Sequence, residues 1–99
     1  MRITDQQRSI IRSTVAETLG EDAVVRLFGS RTDDAQRGGD IDLLIETKQS
    51  LAHRIQDECR LAARLYIKLG GRKVDVLIKE PLTPILAIHE QALRNGIIL

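Results

Sequence analysis

Ninety-nine residues, 42% hydrophobic and 29% charged, describe a single domain spanning residues 1–99, with enough chain for one core. A net charge of +1, with Phe28 and Tyr66 the only aromatics, argues against direct nucleic-acid binding through a basic face or a stacking platform. The single cysteine excludes an intrachain disulfide framework and a zinc quartet, and no apolar run resembles a signal region or reaches membrane-spanning length, so a cytoplasmic location is expected.

In chain order, Thr4-Asp5-Gln6-Gln7 has the form of a capping box, with Thr4 accepting from the Gln7 backbone and the Gln7 side chain reaching back. Ile11, Val15 and Leu19 then recur at helical spacing up to Gly20, which predicts a helix over residues 5–19. Residues 23–28 read as a strand rich in β-branched side chains, ended by Gly29-Ser30. Residues 31–39 are polar and hold Gly38-Gly39, so they read as a loop. Residues 40–46 alternate: Ile41, Leu43 and Ile45 on one strand face, Asp40, Asp42 and Leu44 on the other.

Ser50 is the expected cap of a long helix reaching about Leu69, with Leu51, Ile55, Cys59, Ala62, Tyr66 and Leu69 as its apolar stripe and Gly70-Gly71 as its stop. Residues 73–78 form a third strand, with Asp75 and Leu77 on one face. Thr83-Pro84 opens a last helix carrying Ile85, Ile88 and Ala92 to Asn95-Gly96. Ile97-Ile98-Leu99 is an apolar tail, either a short edge strand or part of a partner interface. The order α-β-loop-β-α-β-α predicts an α/β (α+β) fold, a small mixed β-sheet with helices packed against it.

Three carboxylates carry the chemistry. Asp40 and Asp42 stand on one strand face, about 6–7 Å apart by strand rise, and their strand holds no lysine or arginine. If Asp75 arrives from a neighbouring strand, three negative charges converge, and hard divalent cations with oxygen ligands resolve such repulsion. Magnesium is the usual ion beside phosphates, and two such ions about 3.5–4 Å apart clamp a phosphoryl displacement. Gly29-Ser30 supplies the other half: glycine admits phosphate oxygens close to the backbone, while amides and the Ser30 hydroxyl cradle them. Arg31 or Arg37 can add a charge-assisted contact to a triphosphate.

The pattern Gly29-Ser30-x9-Asp40-x-Asp42, with Asp75 in a downstream strand, resembles the polymerase-beta nucleotidyltransferase superfamily. Within it, the length, the phrase Gly38-Gly39-Asp40-Ile41-Asp42-Leu43-Leu44-Ile45 and the later Val74-Asp75-Val76-Leu77-Ile78 resemble the minimal nucleotidyltransferases, the MNT group. The Ser-to-Asp spacer is one residue shorter than in many members, which a loop deletion accommodates. The resemblance implies a polymerase-beta-like fold and transfer of a nucleoside monophosphate, with ATP as substrate and magnesium as cofactor. It implies that Gly29 and Ser30 hold the triphosphate, with Arg31 the neighbouring candidate contact, that Asp40 and Asp42 are catalytic metal ligands, and that catalytic Asp75 completes the metal site or activates the acceptor. It further implies an antitoxin that adenylylates a tyrosine of a partner, a helical HEPN RNase toxin, in a hetero-oligomer.

Plainer readings stand beside these. Gly29-Ser30 alone would be a simple turn, the aspartates could be solvated strand-end carboxylates, and Arg31 and Arg37 could be ordinary loop arginines. Cys59 reads as a packed core thiol, and His53 and His89, with no ligand partner one turn on, read as structural or surface residues. Tyr66 reads as a core or interface anchor. A Ser30 hydrolase lacks an evident triad histidine, and no G-x-G-x-x-G, P-loop or C-x-x-C is present. Two alternatives to protein adenylylation remain: a non-catalytic antitoxin acting by occlusion through exposed parts of its last helix and its apolar tail, and a small-molecule transferase, whose extra helical segments this chain lacks.

Overall fold

The structure, a computed structural model, describes residues 3–28, 41–81, 90, 93–94 and 96–99. Thr4 caps the first helix as its sequence predicts: its Oγ1 accepts from the Gln7 amide at 3.0 Å, and Gln7 Oε1 accepts from the Thr4 amide at 2.9 Å. Helix α1 (Asp5–Leu19) then buries Ile11, Val15 and Leu19. It stops at Gly20, whose φ of 89° favours glycine.

Strands β1 (Val24–Phe28) and β2 (Ile41–Glu46) pair antiparallel. Helix α2 (Arg54–Lys68) carries the chain across to β3 (Val74–Lys79), which pairs parallel with β2. The tail folds back as β4 (Ile97–Ile98), antiparallel to β1, so the sheet order is β3-β2-β1-β4. The edge-strand reading of the tail therefore holds. Leu99 extends it, its amide donating to Val25 O at 2.9 Å while Arg8 Nη2 donates to Leu99 O at 3.1 Å.

Strand alternation divides the sheet into two unlike faces. Val25, Leu27, Ile41, Leu43, Ile45, Val74, Val76 and Ile78 join α1 and α2 in the main core. On the other face, Phe28 and Leu44 form a smaller cluster with Leu77 and Leu93. The mixed sheet with helices packed on it is the predicted α+β architecture.

Several expectations shift. The first strand begins one residue later than expected and the third runs one further, to Lys79. Ser50 does not cap α2. The helix begins at Arg54 after a turn at His53, which makes no side-chain cap, while the Leu51 amide is taken by Glu80 Oε2 at 3.0 Å. The buried stripe of α2 is only in part the expected one: Leu69 is buried and Leu51 and Ala62 pack against the core. Leu61 and Leu65 face the core, whereas Ile55, Cys59 and Tyr66 are exposed, so Cys59 is not a core thiol. The apolar residues of this helix cover two adjacent stripes, and periodicity alone cannot say which one the sheet receives. The helix expected after Thr83-Pro84 lies mostly outside the described residues, with Glu90, Leu93 and Arg94 helical.

Candidate functional site

The parallel register pairs Asp42 on β2 directly with Asp75 on β3, and the antiparallel register places Phe28 of β1 opposite Asp42. All three lie on the face away from α1 and α2. Adjacent strands run about 5 Å apart, so the two aspartate backbones are immediate neighbours. Asp42 is half-buried and Asp75 exposed. Two like charges side by side repel unless something positive joins them. Hard carboxylate oxygens on adjacent strands fit a divalent cation of the magnesium type.

The surroundings follow from the same alternation. Leu44 and Leu77, two residues further along their strands, floor this face with Phe28 and Leu93. Glu46, the next acid on that face of β2, forms an ion pair with Arg26 of β1. Of the sequence-derived site residues, the structure brings Asp42 and Asp75 together. Gly29, Ser30, Arg31, Arg37 and Asp40 lie outside the described residues, although Phe28 and Ile41, their flanking neighbours, end β1 and open β2. Among the described residues, no three acidic, histidine or cysteine side chains gather to hold a metal.

The placement of β3 depends on residues that pattern reading passed over. Glu58 Oε2 accepts the outward-facing Ile78 amide at 2.7 Å and an Arg54 Nη1 hydrogen at 3.0 Å. Glu80, just past β3, pairs with Arg54 at 3.8 Å and holds the Leu51 amide. These contacts lash the start of α2 to the far end of β3. The i,i+4 pairing of Arg54 with Glu58 was the signal available in sequence. A cavity of about 870 Å³ lies elsewhere, between α1 and the β1–β4 edge, and includes neither Asp42 nor Asp75.

The model of the nucleotidyltransferase domain family matches residues 8–99. The chain belongs to that family. A nucleotidyltransferase domain takes a nucleoside triphosphate and works with a divalent metal. The fold is that of polymerase-beta-like nucleotidyltransferases, and a crystal structure of the MntA–HpeT toxin–antitoxin superimposes with a TM-score of 0.68. At 19% identity that match covers 93% of this nucleotidyltransferase domain and 70% of the other chain. No curated protein matches the sequence. Among the described residues, no helix is long and apolar enough to cross a membrane.

Proposed function

We propose that this nucleotidyltransferase transfers AMP from ATP to a protein hydroxyl, with magnesium held by Asp40, Asp42 and Asp75, and that it serves as antitoxin to a HEPN-type helical toxin. The observation that carries the reading is the register of Asp42 with Asp75 on one sheet face. The likeness to MntA–HpeT adds support. That protein is a mutant with two aspartates, two positions apart, changed to glutamate, and Asp40 and Asp42 have the same spacing.

In this reading Gly29 and Ser30 cradle the triphosphate and Arg31 adds a charge-assisted contact. The bound metal supplies Lewis acidity at the phosphoryl oxygens. The acceptor oxygen bonds to the α-phosphorus as the bond to the β-phosphate bridge breaks, and pyrophosphate leaves. The hydroxyl proton passes to a carboxylate, a role for which exposed Asp75 is available to an incoming protein. A tyrosine of the toxin is the proposed acceptor. The reading also takes residues 1–99 as one catalytic domain working in the cytoplasm within a hetero-oligomer.

The test is intact mass spectrometry of a HEPN-type helical protein after incubation with the chain, ATP and magnesium. Gain of whole AMP units by that protein, lost with Asp42→Ala, is the expected result. An unchanged mass, or undiminished gain with Asp42→Ala, overturns the reading. The occlusion alternative keeps part of its motivating feature, because Leu99 is buried but Ile98 is 60% exposed on the edge strand β4.

A further inference from the structure

Lys73 immediately precedes β3. Its carbonyl accepts the Ile41 amide at 3.0 Å, just as the Lys79 carbonyl accepts the Thr47 amide at 3.0 Å, so the ladder with β2 already begins at Lys73. Strand alternation then puts Lys73 on the face of Asp75, Leu77 and Lys79, while Val74, Val76 and Ile78 enter the main core. Lys73 and Asp75 are both exposed and stand about 7 Å apart along the strand. The other cations in register on this face serve another acid. Arg26 is ion-paired with Glu46, and Lys79 lies opposite the same Glu46, about 13 Å along β3 from Asp75. Among the described residues in register on this face, Lys73 is the cation beside the carboxylate pair.

The strand order fixes which side of the reaction Lys73 serves. In the sheet β3-β2-β1-β4, Gly29-Ser30 follows the end of β1, Asp42 stands on the middle strand β2, and Asp75 stands on the edge strand β3. With the β- and γ-phosphates held on the β1 side, an in-line displacement at the α-phosphorus brings the acceptor in from the opposite side, over β3. We propose that Lys73 is a catalytic residue of that side, whose ammonium contacts the incoming hydroxyl oxygen of the acceptor protein. This rests on the transfer reading above and adds the group that meets the acceptor.

The acceptor O–H bond breaks with its proton passing to a carboxylate, and the oxygen bonds to the α-phosphorus as the bond to the β-phosphate bridge breaks and pyrophosphate leaves. Negative charge builds on the acceptor oxygen before the new bond is complete. Carboxylates alone beside that oxygen would repel the charge, and an ammonium placed there offsets it. The Lys73 ammonium keeps its own protons throughout. A lysine suits the position, because its compact charge sits on a flexible four-carbon stem that can reach past Asp75 to an arriving side chain.

Lys73→Met removes the charge and keeps most of the length, whereas Lys73→Arg keeps the charge. With a HEPN-type helical protein as acceptor and saturating ATP and magnesium, single-turnover transfer followed by intact mass should slow about 100-fold in Lys73→Met, the size of one lost oxyanion donor. Lys73→Arg should recover most of that loss. Lys79→Met, on the same strand face but opposite Glu46, should transfer as the unmodified chain does. Two equilibrium readouts need no reaction. Binding of the α,β-methylene analogue of ATP with magnesium, and the melting shift given by magnesium alone, should be the same in Lys73→Met as in the unmodified chain. Undiminished transfer by Lys73→Met overturns the inference and leaves the transfer reading standing. So does an equal loss in Lys79→Met, which marks a general effect of charge, or weaker analogue binding by Lys73→Met, which places Lys73 on the phosphates. An unmodified chain that transfers nothing overturns both.

Discussion

The Glu58 carboxylate on α2 accepts the backbone amide of Ile78 on β3 at 2.7 Å. That amide points away from β2, because in the parallel ladder alternate residues of β3 serve β2 and the others face outward. An exposed strand edge is thereby closed at one point by a charged acceptor, and the strand that carries Asp75 is held to its crossover helix.

Removing that acceptor should leave a half-buried amide unsatisfied and free the Arg54 contact. Glu58→Ala is expected to cost about 1.5–3 kcal/mol, the range for hydrogen bonds to charged groups. Chemical denaturation with an unchanged slope would register this as a lowered midpoint. Glu58→Gln, which keeps an acceptor, should recover part of the loss.

The Asp42–Asp75 pair predicts a metal response that can be read without any reaction. Magnesium or manganese at about ten times its dissociation constant should stabilise the chain by about 1.4 kcal/mol, several degrees in melting temperature for a domain of this size. Asp42→Asn and Asp75→Asn should each blunt that shift, and chelation should reverse it in the unmodified chain. Without metal, Asp75→Asn should leave the melting temperature equal or slightly raised, since it removes one of two adjacent like charges. Differential scanning calorimetry with and without the ion checks both halves.

Leu65 and Tyr66 are consecutive yet stand on opposite sides of the packing boundary, at 0% and 50% exposure. Leu65→Ala should therefore cost about 2–5 kcal/mol as a buried truncation. Tyr66→Ala, measured in dilute solution, should fall nearer the roughly 0.5 kcal/mol typical of surface positions. Equal losses would place the core stripe of α2 where its sequence periodicity first suggests.

At the N-terminus, Thr4→Ala breaks the reciprocal bonds with Gln7 and should cost about 1 kcal/mol. Because α1 lies on the sheet face opposite to Asp42, the transfer rate at a temperature well below melting should not change. Parallel melting and rate measurements separate the two.

Much of this molecule was legible in one dimension. The capping box, the four-residue spacing of Ile11, Val15 and Leu19, and the two-residue alternation around Asp42 are local patterns, each set by backbone geometry within a few residues. The Gly-Ser and Asp-x-Asp spacing named the family for the same reason, since a phosphate cradle and a carboxylate pair sit on one short stretch. Asp75 could be suspected but not placed. Its value as a partner depends on β3 lying parallel to β2 in a register that matches it to Asp42, and register is fixed by the whole buried face together with the crossover helix. The phase of α2 was likewise undecided, because its apolar residues offer two stripes and only the sheet beneath it chooses. Sequence determined which side chains were available and on which local face they stood. Tertiary structure decided which faces meet, because burial is a property of the assembled layers and of no segment alone.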